Sequence, residues 1–205
     1  MLSLGVLLFT ATYCLILFTY FSLITKFFCI SDKNPLSLIK KQNHYTIIML
    51  DTVRLAYSRA IESSTKTEEF AKILLAETTS STENIAENAI ITAYKGALEA
   101  LRAKHAWMPF NKLAYLDNSK KFFITAIEAA PNDIEIRFLR FSIQSNLPIF
   151  LMQSPNIQED KEIIIKNLEQ NNLDTRFVEV IASFVLKSGQ CNGKETEFLI
   201  SKISQ

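Results

Sequence analysis

The sequence predicts an all-α protein, and three observations carry that reading. Glycine and proline are scarce, at four and five residues in 205, whereas a β-rich fold needs many more of both for its tight turns. Past residue 46, apolar side chains recur every three or four places, the period of a helix face. Capping residues and prolines divide that stretch into eight runs of helical length.

The first element stands apart. The first 25 residues carry no charged side chain, and Leu4–Ile24 holds no Asp, Glu, Lys, Arg, Asn, Gln or Pro. A helix of that length spans a hydrocarbon core of about 30 Å. No Lys or Arg precedes the run, and the nearest passable cleavage site is Cys29-Ile30-Ser31. Both features favour a retained anchor over a cleaved signal peptide; a misplaced start codon is the third reading. Lys26, Lys33, Lys40 and Lys41 follow the segment, which keeps the rest of the chain cytoplasmic by the positive-inside rule. Residues 1–30 are therefore a transmembrane anchor or signal segment, and residues 31–45, polar and basic with Pro35, a juxtamembrane linker.

Residues 46–205 form the helical domain, long enough for one real core. Ile47, Leu50, Val53, Tyr57 and Ile61 define a helix that fades at Ser63-Ser64. Thr65 and Glu68 have capping-box spacing before Phe70, Ile73 and Leu74, and Ser80 with Glu83 repeats that signal before a run over 82–106. Along that run Ala86, Ala89, Ala93, Ala97 and Ala100 make a stripe of small residues, which reads as a seam where a second helix approaches closely. Trp107-Met108-Pro109 ends it.

The next helix, over 111–130, places Leu113, Leu116, Phe123 and Ile127 on one face and stops at Pro131. Asp133 caps a helix through Ser145 with apolar residues on two faces, an alternation that also permits a strand. Ser154-Pro155 starts another helix, with Ile163, Ile164 and Leu168 on its apolar side. Asp174 caps one stopped near Gly189, and the last runs over 194–203 with Phe198, Leu199 and Ile203 inward.

Two resemblances add to this reading. In SKKFFITAIEAAPNDIEIRFLRF, Ser119, Phe123, Ala126 and Pro131 fall where a tetratricopeptide repeat has its small residue, aromatic, alanine and helix-ending proline. That fragment resembles one junction of the repeat, and implies a TPR-like array of stacked antiparallel helices. The blocks YKGALEALRAKHAW, PNDIEIRFLRFSIQ and NIQED resemble a family of uncharacterised small helical proteins from Bacteroidetes, over roughly residues 50–190. Members begin with a short apolar leader, so the resemblance implies an envelope-associated or exported protein and supplies no activity. It disagrees with the flanking charges about the side of the membrane.

Composition and motifs exclude several classes. The first 41 residues net +3 and the remainder −2, so nothing in the balance calls for nucleic acid. Cys191 is alone in the domain, a thiol with no base beside it in sequence. His44 and His105 lack ligand partners at helical spacing, and no glycine-rich phosphate loop, GxSxG or HExxH occurs. A protonated His105 would suit the end of its helix. No catalytic set, metal or cofactor is expected.

The candidate partner-binding residues are Tyr94, Lys104, Trp107, Arg137 and Arg140. Arg137 and Arg140 share a helix face and, if exposed, can hold a carboxylate or acidic peptide; the competing reading is an ion pair with Glu128 or Glu159. Tyr94, Lys104 and Trp107 can line a groove edge, although a helix end packed under the proline turn explains Trp107 equally. The expected function is a non-enzymatic, membrane-anchored helical scaffold that binds a protein or peptide partner. The alternative is an exported small-molecule binder or enzyme whose site is assembled from dispersed residues.

Overall fold

The computed structural model describes residues 44–79, 85–147, 156–170 and 173–204. These residues form eight helices and no strand. In chain order they are α1 (His44–Ala60), α2 (Ser64–Thr79), α3 (Ile85–His105) and α4 (Pro109–Ala129). The second half holds α5 (Ile134–Ser145), α6 (Ile157–Glu169), α7 (Thr175–Lys187) and α8 (Gly193–Ile203). Leu4–Ile24, most of the linker and the helix starts expected at Ser80 and at Ser154-Pro155 lie outside the described residues. No helix among the described residues is long and apolar enough to cross a membrane.

Local chemistry sets most of the helix starts. Asp133 accepts a hydrogen bond from the Ile136 amide (3.0 Å), and Asp174 accepts from Arg176 (3.0 Å) and Phe177 (3.2 Å). Each satisfies amides that a helix leaves unpaired in its first turn. Asn192 and Glu195 close a reciprocal capping box on α8, which the sequence reading passed over. The cap of α2 is Ser63, whose hydroxyl accepts from the Lys66 amide, and not Thr65 two residues on. The reason lies in the neighbouring Thr67: its buried hydroxyl donates to the Ala60 carbonyl (2.9 Å) and ties the end of α1 to the start of α2. Gly189 takes φ +71° just after α7, where a left-handed residue ends the helix.

Helices pack mainly on their chain neighbours, α1 on α2, α2 on α3, α3 on α4, α5 on α6 and α7 on α8, while α3 also meets α1 and α5. A single apolar cluster runs through them from Leu50 to Leu199. At one end Tyr57, Phe70 and Tyr94 bring α1, α2 and α3 together, with ring centroids 5.6 to 6.3 Å apart. At the other, Phe184 of α7 stands edge-on to Phe138 (5.4 Å) and Phe141 (6.2 Å) of α5.

The centre is α5, which buries ten of its twelve residues. Burial on all sides explains why its sequence fits both a helix and a strand period, since neither face needs to be polar. It also corrects one expectation, because no exposed side exists to carry Arg137 and Arg140.

The small-residue seam is confirmed in part. Ala89, Ala93 and Ala97 are buried, and among them Gly96 faces α4 with no room for a Cβ. A Cβ there would stand 3.0 Å from the Phe123 ring and 3.2 Å from Phe122 Cβ. Gly96→Val should therefore destabilise the domain by about 1–3 kcal/mol through overpacking, more than the few tenths regained from helix propensity. Urea denaturation of residues 44–205 reads this directly; an unchanged midpoint would mean that α4 shifts at no cost.

The apolar face assigned to α4 is shorter than expected. Only Ser119, Phe123 and Ala126 are buried on it, and Leu113 is half-exposed. Full burial begins where α3 offers the small residues of its seam, and the first turns of α4 are only partly covered.

Candidate functional site

An open groove of ≈ 200 Å³ lies where the start of α2, the end of α3 and the first turns of α4 meet. Ser64, Thr67 and Glu68 form one wall, Arg102, His105 and Ala106 the second, and Asn111 and Tyr115 the third. Helical spacing places these side chains: Ser64, Thr67 and Glu68 share a face of α2, and Asn111 and Tyr115 share a face of α4.

A polar chain stiffens the groove. Arg102 forks onto Glu68, with Nε to Oε1 and Nη2 to Oε2 both at 3.0 Å. Its Nη1 donates to Glu99 (2.9 Å), whose other oxygen accepts from Asn118 (3.3 Å). One arginine thus connects carboxylates on α2 and α3, and Asn118 extends the chain to α4. The hydrogen bonds from Arg102 hold the Glu68 carboxyl below its usual range.

His105 lies at the junction. Its Nε2 is buried without a hydrogen-bond partner among the described residues. Burial first, then the charges of Lys104 and Lys112, push its pKa below the ordinary 6.5, against a hydrogen bond to the Ala60 backbone that raises it. The imidazolium expected at this helix end is therefore disfavoured, because two ammonium groups and burial outweigh the helix dipole. A depressed folded-state pKa gives stability that is fully present above the unfolded value and lost as pH falls through the folded one. Acidification from about pH 7 to pH 5 should lower the melting temperature of the native domain, and His105→Gln should flatten that slope. An identical slope in the variant would place the titration elsewhere.

The five sequence-predicted residues do not converge on this groove. Tyr94 is fully buried, and its hydroxyl donates to Glu135 Oε1 (2.7 Å). Burial, and then the Glu135 carboxylate, push its phenol well above the ordinary value. Tyr94 is a core residue and lines no groove edge. Lys104 is exposed, and its Nζ donates to the Ile61 carbonyl (2.8 Å) beyond the end of α1. Trp107 is 92% exposed, so it is not packed beneath the proline turn.

Arg137 and Arg140 are 2% and 6% exposed, which removes them from any recognition surface. Arg140 grips Asp160 with Nε to Oδ2 and Nη2 to Oδ1, both 2.6 Å. Arg137 Nη1 donates to Asp160 (2.9 Å) and Glu159 (2.8 Å), and its Nε to the Pro131 carbonyl (2.7 Å). The ion-pair reading holds for Glu159 and fails for Glu128; Asp160 is the central partner that sequence reasoning missed. A second buried cluster was missed as well, in which Arg54 forks onto Glu135 at 2.8 and 2.6 Å. Next to Asp160, Lys161 is buried and donates to Glu195 and to the Gln190 carbonyl, both at 2.8 Å.

Among the described residues, no group of three or more His, Cys, Asp or Glu side chains is placed to hold a metal ion. Cys191 is half-buried with its Sγ 3.5 Å from the Val185 carbonyl, and burial raises its pKa. No family model, curated protein or solved structure matches the chain.

Proposed function

We propose that this chain is a membrane-anchored helical scaffold that holds a protein or peptide segment in the groove between α2, α3 and α4, without catalysing a reaction. The observation that carries the reading is the form of the groove. It is open to solvent, its lining is largely polar, and two of its walls are joined by the Glu68–Arg102 pair, which Glu99 braces from behind. An extended segment fits such a surface better than a small molecule, which needs a concave site that buries most of it. The finer architecture we propose is TPR-like, with stacked helix pairs; packing of α3 on both α1 and α5 supports it. Leu4–Ile24 supplies the anchor.

The test is site-specific photocrosslinking in native membranes, with the full chain carrying the probe at Tyr115. A discrete protein adduct, absent when the probe sits at exposed Lys187 on α7 and lost in Glu68→Lys, is the expected result. Identical patterns from the two positions would overturn the reading.

A second reading, a small-molecule binder or enzyme with dispersed residues, is favoured by one observation, the unpartnered Nε2 of His105 beside the groove. A metabolite fraction that shifts the His105 ring resonances, with no macromolecular adduct at Tyr115, decides for it.

A further inference from the structure

Seven residues at the junction of α3 and α4, Trp107 to Leu113, hold four large apolar side chains that nothing described covers. Trp107 is 92% exposed and Phe110 80%, while Met108 and Leu113 are half-exposed. Scattered apolar residues on a surface need no account, but a contiguous exposed patch marks a contact. We propose that this segment dips into the headgroup layer of a bilayer containing anionic lipid, and so gives the folded domain a second hold on the membrane.

The chemistry of the segment selects a lipid surface over a protein. Tryptophan concentrates at the membrane–water boundary, where its ring is partly apolar and its indole N–H stays hydrated. Basic residues prevail along this stretch of sequence: between Ala100 and Leu116 the chain carries Arg102, Lys104 and Lys112 and no Asp or Glu, with Arg102 paired to Glu68 and Glu99. A basic rim around aromatic and aliphatic side chains is the signature of an interfacial element attracted to anionic headgroups. The first turn of α4 adds to this. Met108 occupies its N-cap without a side-chain hydrogen bond and Pro109 follows, so the positive end of the helix is turned to whatever lies beside the patch.

The placement is compatible with the groove. Phe110 and Leu113 are three apart and share a face, whereas Asn111 and Tyr115 point to the groove from the other side of α4. Membrane contact and groove occupancy therefore do not compete. The inference rests on the membrane-anchored reading, which brings the domain and a bilayer together.

Trp107 is the only tryptophan in the sequence, so the full chain reports on this segment without labelling. The experiment reconstitutes it in phosphatidylcholine vesicles with and without phosphatidylglycerol, and measures Trp107 emission with lipids brominated near the headgroup. Carbonate extraction of the same vesicles reads the anchor separately.

The expected result is a blue-shifted emission quenched by the brominated lipid, strongest with phosphatidylglycerol. Both effects should be lost in Met108→Ser/Phe110→Ser, which keeps the reporter, and weakened in Lys112→Glu. An anchored chain whose Trp107 emits as in water and is quenched by iodide overturns the inference while sparing the anchor. A blue shift without lipid quenching also overturns it, and assigns the patch to a second copy or to residues 1–43. Extraction by carbonate together with retained lipid quenching on added vesicles removes the anchor and leaves the interfacial contact standing.

Discussion

Replacing Asp160 by Ala should cost the domain about 3–5 kcal/mol, the usual loss when one partner of a buried ion pair is removed. Asp160 is 0% exposed and accepts three hydrogen bonds from Arg137 and Arg140, both also buried. Without it two guanidinium groups remain inside with Glu159, more than half exposed, as their only carboxylate among the described residues. For a domain of this size the melting temperature should fall by about 10 °C or more.

Removing the arginines instead is informative. Arg137→Gln with Arg140→Gln strands a buried carboxylate and should be similarly costly, whereas an exposed pair would cost under about 1 kcal/mol. Exchanging all three residues for Leu, Met and Leu should recover much of the loss, because the packed apolar triad pays no desolvation penalty. Urea titrations of the four proteins decide the matter. A double arginine variant with wild-type stability would show that the α5–α6 contact is not closed as described.

Glu135→Ala should be the next most damaging change, at about 2–4 kcal/mol. Its carboxylate accepts from Arg54 at 2.8 and 2.6 Å and from the buried Tyr94 hydroxyl at 2.7 Å. Arg54 keeps partial solvent access and a contact to Asp51 (3.0 Å), so it can rehydrate. Tyr94 is fully buried and cannot exchange this bond for one to water. Tyr94→Phe removes only one of the three bonds and should cost about 1 kcal/mol. The graded pair ties α1, α3 and α5 to one carboxylate. Equal losses from the two substitutions would mean that the Arg54 bond contributes nothing to stability.

The helices were legible because their causes are local. Apolar spacing, the Asp133 and Asp174 caps and the prolines act within a few residues, and the eight predicted runs correspond to the eight helices described. The exceptions were also local but subtler. Ser63 displaced Thr65 as a cap because Thr67 is turned inward to the Ala60 carbonyl. The anchor reading, drawn from uncharged residues at the start of the chain, lies outside the described structure.

The polar residues were misread for a physical reason. In a sequence, a charged side chain is assigned to water, since burying it unpaired is prohibitive. The rule fails where a partner distant in sequence supplies the compensation: Glu159 and Asp160 are 22 and 23 residues from Arg137, and Glu135 is 81 from Arg54. One sign was nevertheless present. The helix bearing Arg137 and Arg140 has apolar residues on two faces, which leaves little of its surface for solvent. His105 and the groove walls gave no such sign, because their meaning depends on the distance between three helix ends.

The amino-acid order by itself determined an all-α chain, several of its helix ends and part of the small-residue seam, all set by propensity, capping and spacing. Tertiary structure alone decided which charges lie inside, that Gly96 has no room for a Cβ against Phe123 of α4, and that Trp107 stands in the open. Those outcomes depend on which surfaces meet across long stretches of chain, and no local rule encodes that.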